Sequence, residues 1–276
     1  FGGAVPHVVP QMMRNQKSIM LGKDASCVAS CAWGDAAAVI PWTIYLHYGN
    51  KKALCRQFQN MCGWVDYIKN QDEKDGGTRL WRTGFHFADW LALDNPDKSS
   101  RFGGTDNAYI ASAYYMYSAE LTAKAAQVLG EKALYKKYHA LAEEVKTAIQ
   151  KEYFTASGRI AIQTQTAMVV ALFMGIVPKE HRLKIVKALR EKLEANNLHL
   201  DTGFVGTPYL CRALSDNGAN DYAYNLLLNE DYPSWLYEVN MGATTVWERW
   251  NSVLPDGSIS DTGMNSLNHY AYGSIV

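Results

Sequence analysis

The segment KKALCRQFQNMCGWVDYIKNQ carries Leu54, Phe58, Met61, Val65 and Ile68 at steps of four, three, four and three. That spacing lines one face of an α-helix, and the Gly49-Asn50 pair ahead of it supplies a turn. TDNAYIASAYYMYSAELTAKAAQVLG repeats the pattern through Ile110, Tyr114, Tyr117, Leu121, Ala125 and Val128, and Gly130 ends it. A third face runs through Leu134, Tyr138, Leu141, Val145 and Ala148. QTQTAMVVALFMG is short and almost wholly apolar, which predicts a helix buried on several sides. Pro178 opens PKEHRLKIVKALREKLEANN, a charged amphipathic helix expected on the outside, and YLCRALSDNG and NDYAYNLLLNE add two shorter helices.

Apolar helices alternating with polar ones across short turns predict antiparallel pairs in two layers. A toroid of inner and outer helices produces this alternation. A solenoid of helix pairs would produce it too, but no fixed-period repeat supports one. Strand signals are few, and no low-complexity linker divides the chain, so residues 1–276 read as one all-α domain.

The intervening stretches combine Trp, Tyr or His with carboxylates beside small residues: CAWGDAAAVIPW, TGFHFADWLAL, HLDTGFVGTPYL, DYPSWLYEVNMGATTVWERW and MNSLNHYAYGSIV. Each lies near the end of a helical segment, where loops can converge to build a site. In GATTVWERWN, Glu248 stands between Trp247 and Arg249 with Trp250 just beyond. Either Glu248 is a packed ion-pair residue or it is a working acid or base in a carbohydrate site, with the indoles as stacking walls. Asp35 in WGDAA reads as a helix cap or as an acceptor for a sugar hydroxyl. Asp89, followed by Trp90, reads as a surface loop residue or as a carboxylate that holds hydroxyls while the ring stacks. His269 in NHYAYG is a core histidine or a site residue.

Composition narrows the class. Hydrophobic residues make up 48% and charged residues 20%, a globular balance. The 27 basic and 27 acidic side chains cancel to a net charge of +0 without a basic block, which argues against nucleic acid or an anionic membrane surface as partner. Aromatics reach 12%, with 8 Trp and 17 Tyr, side chains that suit wet, ring-shaped ligands. The five cysteines, Cys27, Cys31, Cys55, Cys62 and Cys211, form no CxxC and are expected to be small buried hydrophobes, with Cys55 and Cys62 on one helix face. The seven histidines lack metal spacing, and no GxSxG, GxxxxGK[ST] or GxGxxG motif occurs, so no metal or cofactor is expected. No stretch is long and apolar enough to span a bilayer. The opening FGGAVPHVVP has neither the basic start nor the apolar run of a signal peptide, and cytoplasmic, periplasmic and secreted locations all fit.

Taken together, VPHVVP, WGDAAAVIPW, DWLA, HLDTGFVGTPYL, YPSW, GATTVWERW and MNSLNHYAYG resemble the catalytic domain of the bacterial α-L-rhamnosidases. These are inverting glycoside hydrolases with an (α/α)6 toroid, and the resemblance runs over nearly the whole chain. It implies a rhamnosyl glycoside as substrate, with Glu248 as the general base that activates water. Trp33 and Trp90 would wall the sugar subsite and His269 would bond a hydroxyl. Asp35, Asp89, Trp247 and Trp250 complete the candidate binding set. Ala88 departs from the glycine that commonly precedes the Asp-Trp pair. In the family the general acid is a Glu in a loop ahead of the VP segment, which this sequence does not include, and a final helix and often a β-domain follow. The expectation is therefore a piece of a longer protein, with an incomplete toroid and poor activity alone. A toroidal glycosidase for another sugar, or a sugar-binding module without catalysis, are the competing readings.

Overall fold

The structure, a computed structural model, describes residues 2–7, 29–260 and 263–274. Cys27, the second half of VPHVVP and the last two residues lie outside these. The described residues form two compact units, one within 1–87 and 107–152 and the other within 88–106 and 153–276.

The first unit contains α1 (Ala36–Tyr48), α2 (Lys51–Lys74), α3 (Asn107–Leu129) and α4 (Lys132–Tyr153). Gly49 closes α1 in the left-handed conformation, and the Asn50 side chain accepts the Ala53 amide to open α2. All five apolar positions spaced along α2 are buried, as their periodicity requires. Helix α1 packs on α2 and α3. Lys137 and Tyr138 of α4 both reach Asp66 of α2.

Three expectations change here. AAAVIPW, read as part of a loop, is helical. It is apolar all round and contains Pro41, so it offers no polar stripe for a periodicity to reveal. Helix α3 is buried on most of its circumference rather than on one face, because Ala111, Ser112, Ala113, Ala119 and Ala123 let neighbours approach closely. Cys55 is exposed in the second turn of α2, whereas Cys31 and Cys62 are buried and Cys211 is half-buried; all four are free thiols.

The second unit contains α5 (Gln165–Phe173), α6 (Arg182–Ala195), α7 (Thr207–Ser215), α8 (Asn220–Leu227) and α9 (Trp235–Asn240), with short 3-10 turns at Lys179–His181 and Tyr270–Tyr272. Helix α5 is buried over nearly its whole length, and α6 turns Ile185, Val186, Leu189 and Leu193 inward, both as expected. Helix α5 packs on α6 and α7, and α7 on α8. Among the described residues the extended pairings are isolated bridges: Trp90 with Phe102, Phe154 with Ile160 and Val253 with Ile259. No helix among them is long and apolar enough to cross a membrane.

Candidate active site

Asp89 organises the second unit. Its carboxylate is buried and accepts the backbone amides of Gly203 at 3.0 Å, Val205 at 2.8 Å and Gly206 at 3.0 Å, together with the Thr166 hydroxyl. Gly206 is the N-cap of α7, so this carboxylate sits where the helix end presents unpaired amides. The approach requires glycine: a Cβ on Gly203 would lie 2.3 Å from the Trp90 carbonyl oxygen. Burial holds the Asp89 pKa above the usual range, with the Thr166 and loop donors pulling the other way. Asp89 is thus neither a surface residue nor a presented hydroxyl acceptor; its oxygens are occupied by the chain itself. What it positions is Trp90, which stays half-buried and meets Phe102 edge-on at 5.0 Å. Ala88 has φ 52°, in the left-handed region that glycine favours, so the alanine there carries backbone strain.

Glu248 lies in a loop segment hydrogen-bonded to residues 266–269. Its amide donates to the Ser266 carbonyl at 2.8 Å, and the Ser266 amide returns a bond of 2.8 Å to Glu248 Oε2. The His269 amide reaches the Val246 carbonyl at 2.8 Å. No donor among the described residues meets Glu248 Oε1, and the side chain keeps partial access at 9%. The ion-pair reading is not supported: the described bonds of the Arg249 guanidinium go to the Asn251 side chain and the Met264 carbonyl. His269 sits beside Phe204, with ring centroids 5.3 Å apart. Its Nδ1 accepts the Ala271 amide, which leaves Nε2 as the ring nitrogen available to a ligand.

The two indoles flanking Glu248 are packing residues rather than walls. Trp250 is fully buried, stacks on Tyr272 at 4.3 Å, meets Trp235 edge-on and donates its N–H to the Thr202 carbonyl. Trp247 is buried with its ring edge-on to Tyr237. An indole that finds both apolar contact and an acceptor inside the protein belongs to the core.

In the first unit, Asp35 makes no cap bond. Its carboxylate is fully buried and accepts the Ala32 amide at 2.8 Å, the Trp64 indole N–H at 2.7 Å and the Ser118 hydroxyl. Burial pushes its pKa up to about 6 against those donors. Neither the capping reading nor the hydroxyl-acceptor reading survives, because the helix approaches too closely to free an oxygen. Trp33 is half-buried and lies tilted on Phe87 at 4.6 Å.

Glu238 was not singled out by the sequence. It is 3% exposed on α9, its Oε2 accepts the Trp247 amide at 3.2 Å, and its Oε1 is buried without a partner. Its signal was the three-residue step from Trp235, which puts both on one helix face. Among the described residues no group of three His, Cys, Asp or Glu could hold a metal ion.

The model of the bacterial alpha-L-rhamnosidase 6 hairpin glycosidase domain matches residues 2–276. The chain belongs to that family. The chain is 38% identical over 275 residues to an alpha-L-rhamnosidase of Formosa agariphila, covering 99% of the chain and 28% of that protein. The crystal structure of Streptomyces avermitilis alpha-L-rhamnosidase complexed with L-rhamnose matches with a TM-score of 0.80 and 38% identity, over 88% of this chain and 22% of that one. Native rhamnosidase from Aspergillus terreus matches with a TM-score of 0.89 and 32% identity, over 99% of this chain and 30% of that one. The chain is all-α and falls in the α/α toroid class that its alternating helices led us to expect. It spans about a quarter of the length of these relatives.

Proposed function

We propose that this domain supplies the base side of an inverting glycosidase that removes terminal α-L-rhamnose. Glu248 takes the proton of the attacking water through Oε1. The observation that carries this is the way Glu248 is held: Oε2 is fixed by the Ser266 amide while Oε1 has no donor from the described residues. A base must be immobile and yet leave one oxygen open to the proton it removes. The same pairing of residues 246–248 with 266–269 also fixes His269, whose Nε2 would bond a sugar hydroxyl. Trp90 offers a half-buried indole for stacking, and Trp33 is proposed for the same task from the sequence resemblance. The names of the relatives support rhamnose as the sugar.

The general acid would come from elsewhere in a longer polypeptide, at the roughly 6.5–9.5 Å separation that inversion requires. Glu248→Gln in that polypeptide should lower turnover by about 10²–10⁴ while sugar binding persists. Proton magnetic resonance of the digest should show β-rhamnose first. Early α-rhamnose would mean retention and would remove Glu248 from the role of water-activating base. Binding of rhamnose with no hydrolysis by the longer polypeptide would favour a sugar-binding module instead.

A further inference from the structure

The segment bearing Glu248 is held from two sides. The Glu248 amide and the Val246 carbonyl pair with Ser266 and His269. The intervening Trp247 amide takes its partner from another element. It is met by Glu238 Oε2 at 3.2 Å, from α9. We propose that Glu238 is a positioning residue for Glu248, fixing the pitch of the segment through the Trp247 amide. This rests on the reading of Glu248 as the base.

The geometry favours the neutral form. A buried carboxylate with one oxygen lacking any donor is costly, and protonation removes that charge. Burial accordingly pushes the Glu238 pKa up to about 7, with the Trp247 amide acting in the opposite sense. The Tyr272 phenol interacts electrostatically with Asp89, Arg249, Glu238 and Glu248 together.

Two measurements test the proposal. In the 276-residue chain labelled with ¹⁵N-tryptophan, the Trp247 amide resonance should titrate with a midpoint near that of Glu238. Glu238→Gln should abolish the titration while keeping the amide protected from exchange, because the amide oxygen still accepts. Glu238→Ala should abolish the titration and the protection together. In the longer, active polypeptide, Glu238→Ala should lower kcat by about 10²-fold with KM little changed, as expected for a displaced catalytic group. Glu238→Gln should restore most of kcat, because its side-chain oxygen still accepts the Trp247 amide. A Trp247 amide that does not titrate, or a Glu238→Gln turnover no better than that of Glu238→Ala, would overturn the proposal. If Glu248→Gln keeps full activity while the Trp247 titration is seen, the reading of Glu248 fails and the link from Glu238 to Trp247 stands.

Discussion

Four carboxylates near indoles differ in how many donors reach each one. Asp89 receives four and Asp35 three, so both are internal acceptors. Glu248 and Glu238 receive one side-chain bond each, on a single oxygen. The difference predicts opposite responses to mutation. Asp89→Ala strands four buried donors at about 1–3 kcal/mol apiece, so the chain should lose most or all of its cooperative thermal transition. Glu248→Gln keeps an acceptor for Ser266 and should melt close to wild type by circular dichroism. Asp89→Ala melting like wild type would remove its organising role. The sequence showed Asp35, Asp89 and Glu248 as candidates but not their tasks, and it did not single out Glu238. The Gly206 amide that fixes Asp89 lies 117 residues downstream, and nothing local reports it.

At the scale of elements, helices with a polar and an apolar stripe were legible. Helices without that contrast were not. The five positions read in α2 are the buried ones, whereas α1 hid in an apolar run and α9 is a helix of 6 residues, too short to show a period. The loops were legible as motifs, because HLDTGFVGTPYL has glycines where backbone must meet backbone. This gives a contrast between two glycines. In Gly203→Ala the new Cβ would meet the Trp90 carbonyl at 2.3 Å and the Ala92 amide at 2.7 Å, both backbone atoms that cannot step aside. Thermal melts should show severe destabilisation or no folded protein. Gly63, inside α2, has its nearest such contact at 3.7 Å. Gly63→Ala should therefore raise stability by about 0.5–1 kcal/mol, the ordinary helix preference of alanine. Equal effects at the two positions would contradict the close packing described around Asp89.

For the molecule as a whole, several buried acids have pKa values raised by folding, which ties global stability to pH. Burial, then the neighbouring Asp94, push Asp201 up to about 7 while Lys192 and Lys98 pull it down. Asp94 Oδ2 and Asp201 Oδ1 are both buried without a protein partner. The folded pKa exceeds the ordinary aspartate value of 3.8, so the folded state binds more protons than the unfolded chain between these two values. The contribution of Asp201 is thus most favourable below the unfolded pKa and is lost as pH rises through about 7. His86 acts with the opposite sign: burial lowers its pKa to about 4, so its contribution is full above 6.5 and declines as pH falls towards 4. Asp201→Asn separates the two, because asparagine imitates the protonated acid at every pH and leaves His86 untouched. Relative to wild type, the variant should gain melting temperature progressively from about pH 4 to pH 7 and hold a constant advantage above that. Each kcal/mol recovered corresponds to roughly 2–4 °C in a chain of this size. A difference that stays flat with pH would mean that Asp201 is ionised in the fold at no cost, and that its unpartnered oxygen is solvated after all.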